Sequence, residues 1–241
     1  LGGVAFRANG TSGARNITQT RGALDHSDGK VTLIDGTYTF TASDDDANGE
    51  FSDGAATARI DTTRLSDDYT YMRAYDLIYT ASGVTYDTYG IYGIVTQASD
   101  MPIAGTANFI GEATGLVAAG TDGYDLTDGT STVAVNFRTN AVTVTLSDFT
   151  SRNQTTGAAG GAPLDTITAS GMTINGNRFT NGTITTRNNG SVANLTGDGT
   201  STTAQGIFYG YDDNNAAPAE TAGIILIEGD DGLIYGTFMA K

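Results

Sequence analysis

The sequence predicts an all-β protein, and three observations carry that prediction. Apolar and polar residues alternate with a period of two through much of the 241-residue chain, while apolar spacing of the helical kind is scarce. Turn-forming pairs built on Gly, Asn or Asp recur between these alternating runs. Strand pairs at such short, regular spacing fit antiparallel sheets closed as a barrel or stacked as a sandwich, and do not fit βαβ units.

Taken in order, residues 31–41 read as a hairpin turning at Asp35-Gly36, because a two-residue hairpin loop needs positive φ at its centre. Residues 74–80 and 84–95 make a second hairpin around Ser82-Gly83. A polar break with a proline, Ser99-Asp100-Met101-Pro102, ends that pair and is the expected domain boundary, giving domains 1–100 and 101–241. Strands are expected at 105–110 and 113–119, followed by a third hairpin, 133–137 with 141–146, through Thr139-Asn140. Residues 151–163, rich in Gly, Ala, Thr and Asn, read as a flexible polar loop. Strands at 165–175, 178–186, 204–210, 222–228 and 233–239 complete the series.

Charge and composition exclude several classes of function. Lys and Arg number 12 against 27 Asp and Glu, a formal net charge of -15. A polyanion or an anionic membrane surface needs clustered cations, so nucleic acid and lipid headgroups are poor partners. With no Cys, thiolate catalysis, disulfides and cysteine-held metals are absent, and His26 is the only imidazole. A catalytic triad would have to pass through His26, which lies in a polar, turn-like stretch, and there is no Gly-x-Ser-x-Gly elbow. No apolar run approaches a membrane-spanning helix in length. Few Lys, much Asp and abundant Thr, Gly and Asn suit an extracellular protein, and the initial Leu is consistent with removal of an upstream segment.

Two local patterns stand out. The run Asp44-Asp45-Asp46-Ala47-Asn48-Gly49-Glu50 presents oxygen ligands at alternate positions, with a glycine for the turn. Its candidate ligands for Ca²⁺ are Asp44, Asp46, Asn48 and Glu50, but residue 55 is Ala where a calcium loop would carry a bidentate Glu. The same run also reads as a solvated acidic turn, as do Asp122-Gly123-Tyr124-Asp125, Asp212-Asp213-Asn214 and Asp230-Asp231. Seven of the 12 tyrosines fall in one short stretch: Tyr69, Tyr71, Tyr75, Tyr79, Tyr86, Tyr89 and Tyr92. A tyrosine-bearing sheet face makes a contact surface for a protein or for a flat ligand such as haem, and Tyr can ligate haem iron. The spacing Tyr75, Leu77, Tyr79 equally suits inward packing.

The second half carries a recognisable series. Residues 105–119 read Gly-Thr-Ala-Asn-Phe-Ile-Gly-Glu-Ala-Thr-Gly-Leu-Val-Ala-Ala, followed by the Val133 and Val142 strands and Asn175-Gly176-Asn177-Arg178-Phe179. The chain then gives Gly206-Ile207-Phe208-Tyr209-Gly210, Ala219-Glu220-Thr221-Ala222-Gly223 and Gly236-Thr237-Phe238. Over about 105–241 this resembles the transferrin-binding protein B-like family, surface or secreted solute-binding proteins of Gram-negative bacteria. The resemblance implies an eight-stranded antiparallel barrel behind an N-terminal β-rich handle. It also implies a non-enzymatic role in capturing iron, haem or a host protein at the bacterial surface. Two departures accompany it: Tyr211 to Pro218 lengthens the step from Phe-Tyr-Gly to Ala-Glu, and the cysteine that anchors lipoprotein relatives is missing. A second function class stays open, a self-assembling subunit of a surface layer or filament. In that class Val4-Ala5-Phe6-Arg7-Ala8 would act as donor strand, and Ca²⁺ would bridge acidic turns.

Overall fold

The computed structural model describes the chain except residues 10–14, 25–30, 36–37, 42–49, 54–55, 62–68, 120, 198–199 and 212–217. It divides into two compact units, Leu1–Val95 and Thr96–Lys241, and both are built from antiparallel strands.

The first unit is one eight-stranded sheet. Its strands are β1 (Gly2–Asn9), β2 (Arg15–Leu24), β3 (Val31–Asp35), β4 (Tyr38–Thr41), β5 (Glu50–Asp53), β6 (Ala56–Asp61), β7 (Met72–Ala81) and β8 (Val84–Gly93). They are ordered β4-β3-β2-β1-β8-β7-β6-β5. The expected β7–β8 hairpin forms with Ala81 opposite Val84. Ser82 and Gly83 take φ of 52° and 77°, the paired positive values of a turn whose twist matches its strands. In the β3–β4 hairpin Asp35 is itself paired, opposite Tyr38, so it belongs to the strand and not to the turn expected at Asp35-Gly36. The segment Val4 to Ala8, considered above as a donor strand, is already used within its own chain. It pairs with β2 on one side and β8 on the other at the centre of the sheet, and Val4 and Ala5 are fully buried.

In the second unit, a short 3-10 turn (Ala98–Asp100) is followed by β9 (Thr106–Ala119), β10 (Asp122–Asn136), β11 (Ala141–Ser147), β12 (Thr150–Asn153) and β13 (Thr166–Asn175). The remaining strands are β14 (Arg178–Thr180), β15 (Thr183–Asn188), β16 (Ser191–Val192), β17 (Ser201–Tyr209), β18 (Glu220–Gly229) and β19 (Gly232–Ala240). Pairing runs β11-β10-β9-β19-β18-β17-β14-β13, and β13 returns to β11, closing an eight-stranded antiparallel barrel. β12 lies outside the ring against β10, while β15 and β16 extend from β13.

Alternation explains the closure. In β11, Val142, Val144 and Leu146 are buried while the residues between them are half-exposed, so one side of the pleat faces in. The interior is filled by side chains from every wall, including Phe109, Val117, Val133, Ile167, Phe179, Phe208, Ile225 and Phe238. Phe208 lies at the centre of an aromatic cluster, with ring centroids 5.0 Å from Phe179 and 6.2 Å from both Phe109 and Phe137. Offset, tilted rings at these separations contribute about 0.5–1.5 kcal/mol per pair beyond the area they bury.

Four further details differ from the sequence reading, each for a local reason. The strands expected at 105–110 and 113–119 are one strand, because Gly111 and Glu112 pair with β10 on one side and β19 on the other, which overrides the glycine as a breaker. The strand expected at 178–186 is two, since Asn181 and Gly182 take φ of 68° and 98° and turn the chain out of the barrel. Asp122 to Asp125 are the first residues of β10, not a turn. Residues 150–153 form β12, and the Asn153 side chain accepts from the backbone N–H groups of Thr155 and Thr156 at 2.9 and 2.8 Å, so the expected loop begins as ordered, paired backbone.

Candidate functional site

The tyrosine cluster divides between the two faces of the first sheet. Cross-strand register places Tyr75 and Tyr79 opposite Gly90 and Tyr86, so these residues and Tyr92 share one face. Tyr89 points to the other, with Ile91 and Val4 as alternating or paired neighbours. Tyr69, Tyr75, Tyr79 and Tyr89 are buried, while Tyr71, Tyr86 and Tyr92 are half-exposed. Gly90 explains how so large a ring as Tyr75 fits: a Cβ at position 90 would lie 2.6 Å from its phenol oxygen, so the missing side chain is the space the ring occupies.

Further along the same face, the Tyr79 and Tyr86 rings stack with centroids 4.9 Å apart, and the Arg7 guanidinium carbon lies 4.3 Å from the Tyr86 centroid. A delocalised cation over an aromatic face is attracted by the ring quadrupole. Tyr92 tilts against Tyr75 at 5.9 Å. Burial pushes the Tyr92 phenol above its ordinary pKa, because the phenolate would lose hydration there, and the positive charge of Arg73 partly opposes that. Most of this cluster is therefore packing, with three rims left accessible.

Of the candidate calcium ligands, Asp44, Asp46 and Asn48 lie outside the described residues, as does His26. Glu50 opens β5, its backbone opposite Arg59. Among the described residues, no group of three acidic or histidine side chains is placed to hold a metal ion.

The structure reveals one concave feature that the sequence reading passed over. At the barrel end where β10 turns into β11, the 98–103 segment and two hairpin tips enclose an open groove of about 340 Å³. Its apolar surface comes from Met101, Pro102, Ile103, Phe137 and Ile174, and Arg138 is the one charged residue in its lining. Backbone hydrogen bonds fix the walls: Phe137 N–H donates to Gly105 O at 3.0 Å, and Ile174 N–H to Asn140 O at 2.9 Å. The Asn136 side-chain oxygen accepts from the N–H groups of Arg138 and Thr139 at 3.1 and 3.2 Å, which sets the hairpin bend and leaves Arg138 facing solvent. Thr96 anchors the crossing segment to the barrel, donating to Gly210 O at 2.6 Å and accepting from the Asn177 amide at 2.6 Å. The available signal was Met101-Pro102-Ile103, an apolar triplet inside a polar break, which reads in sequence only as a boundary.

The residues that carry the family resemblance have a steric role. A Cβ on Gly206 would lie 2.1 Å from the Phe179 ring, one on Gly223 would lie 2.6 Å from the Phe238 ring, and one on Gly236 would lie 2.8 Å from a Leu146 methyl. Glycines on β17, β18 and β19 thus leave the space that Phe179, Phe238 and Leu146 fill from other strands of the barrel.

No family model matches the sequence, and no curated protein matches it. The fold, by contrast, matches solved structures over nearly all of its length. Intact Ap-TbpB, with its N and C lobes, superposes at a TM-score of 0.57 and 20% identity, covering 99% of this chain and 45% of that one. A variant of the vaccine antigen transferrin binding protein B from Haemophilus parasuis Hp5 gives 0.59 and 19%, over 98% and 45%. Isotype 1 transferrin binding protein B from serogroup B Neisseria meningitidis gives 0.56 and 19%, over 99% and 43%. The chain spans under half the length of these structures. A β-sheet unit followed by a closed eight-stranded barrel is the fold of a transferrin-binding protein B lobe, and this chain has that fold.

Proposed function

We propose that this chain is a non-enzymatic binding protein working at or beyond the outer surface of a Gram-negative bacterium, where it captures a host macromolecule for its iron or haem. One observation carries the reading: the barrel of this lobe fold is packed solid with phenyl and aliphatic side chains. A small-ligand barrel keeps an internal cavity, so a filled one directs recognition to loops and outer faces, where a macromolecule is met. The solved structures with this fold bear the name of a transferrin-binding protein. Among the handle tyrosines, the half-exposed Tyr71, Tyr86 and Tyr92 are the ones available for contact.

The test uses the purified chain immobilised on a sensor, challenged with iron-loaded transferrin, iron-free transferrin, haemoglobin and albumin, with free haem followed by absorbance. Saturable binding of a transferrin or of haemoglobin above the albumin control supports the reading. Binding of free haem alone would replace it with small-ligand capture, and no binding to any of these would remove nutrient capture from consideration.

A further inference from the structure

We infer that the groove at the barrel end takes an extended segment of a protein partner that presents an aliphatic side chain beside a carboxylate. The inference rests on the proposed binding role and specifies one of its contact points.

The floor is apolar and shaped in advance. Phe137 is buried, Met101 and Ile174 are half-exposed, and the walls are tied by the two backbone hydrogen bonds described above. A volume of about 340 Å³ is near the lower bound of the roughly 300–1,000 Å³ of ligand clefts, enough for one or two side chains. At its rim Ile103 is 91% exposed, following Pro102, whose ring limits the backbone freedom lost when a partner docks. A branched aliphatic residue this exposed, contiguous with an apolar depression, forms a patch and not an isolated surface side chain.

Charge selects the occupant. In a molecule of net charge -15, the single charged residue of the groove is Arg138. Its side chain is exposed and, among the described residues, has no carboxylate partner. A guanidinium beside an apolar depression pairs best with a planar carboxylate while the neighbouring aliphatic group leaves water. A tetrapyrrole also carries carboxylates, but the lining contains no His, Tyr or Cys, and Met101 is its sole soft donor.

The experiment titrates the capped peptide Ser-Gly-Leu-Glu-Gly-Ser into the methyl-labelled chain and follows the Met101, Ile103 and Ile174 resonances. Saturable shifts at those methyls in the millimolar range support the inference if they weaken about tenfold when Glu becomes Gln or Leu becomes Ser, a change equal to one charged hydrogen bond. In Arg138→Glu the preference should transfer to a second capped peptide, Ser-Gly-Leu-Lys-Gly-Ser. Ile103→Ser, on the exposed rim, should weaken both peptides without altering the thermal midpoint.

Absent or dispersed shifts, or a response indifferent to Arg138→Glu, would overturn the inference. So would free haem displacing the peptide from the same methyls. If both variants still bind the protein partner normally while the peptides fail, this contact point falls and the binding role stands. If no protein partner binds the unaltered chain, it is the role that falls.

Discussion

Gly206 lies directly beneath Phe179: any side-chain carbon at 206 would occupy the phenyl ring's own volume. The two residues are cross-strand partners, Phe179 on β14 and Gly206 on β17. Gly206→Ala should therefore cost about 1–3 kcal/mol through overpacking, and Phe179→Ala about 3–5 kcal/mol through the cavity it leaves. In the double variant the new methyl enters space the ring has vacated, so its cost should fall short of the sum of the two single costs. Urea unfolding of the four proteins measures this. Strict additivity would show that the ring and the glycine do not share one volume.

The Ser82-Gly83 turn is a second place where one backbone angle decides the outcome. Ser82 holds φ of 52°, a region in which Asn is at home and Ser is not. Ser82→Asn should stabilise the protein by about 0.5 kcal/mol, and Gly83→Ala should destabilise it by about 1 kcal/mol. Unchanged thermal midpoints in both variants would contradict the turn geometry.

Tyr92 makes stability depend on alkaline pH. Its folded pKa is raised, so the unfolded phenol loses its proton first. The contribution is whole below the ordinary value near 10 and is lost as pH climbs through the folded value. Tyr92→Phe should consequently flatten the fall in unfolding free energy above pH 10 relative to the unaltered protein, with little difference at pH 7. Superimposable pH profiles would remove Tyr92 as the source.

Arg7 and Tyr86 should be coupled. A double-mutant cycle with Arg7→Gln and Tyr86→Leu should give about 0.5–2 kcal/mol of interaction, the range for a partly desolvated cation over an aromatic face. A coupling near zero would mean that the 4.3 Å approach has no energetic consequence.

What could be read from sequence depended on whether the signal was local. The β7–β8 hairpin was legible because Ser82-Gly83 carries its own turn chemistry between two alternating runs. The barrel was legible through the Phe-Tyr-Gly, Ala-Glu-x-x-Gly and Gly-Thr-Phe segments, although why Gly206 and Gly223 are needed appears only when Phe179 and Phe238 are seen against them. Strand β12 was hidden because Ser151 and Asn153, its buried residues, are polar, and their burial depends on pairing with Leu126 and Tyr124 far away in the chain. For the tyrosines, sequence showed the cluster but not its two faces, since the register that buries Tyr75 over Gly90 is a property of the pair. The groove was invisible for the same reason: Met101, Phe137 and Ile174 come from three separate segments.

The packed interior has a consequence for how this lobe tolerates change. With the phenyl rings locked into glycine-made recesses, the walls hold their shape independently of what is carried at the ends, and the exposed residues of hairpin tips such as 138–140 and 175–176 lie outside the packed core. Exchanging the side chains on those tips alters what the surface presents without disturbing what holds it up. The barrel behaves as a fixed mount with interchangeable faces, its buried spacing unchanged while the exposed tips vary.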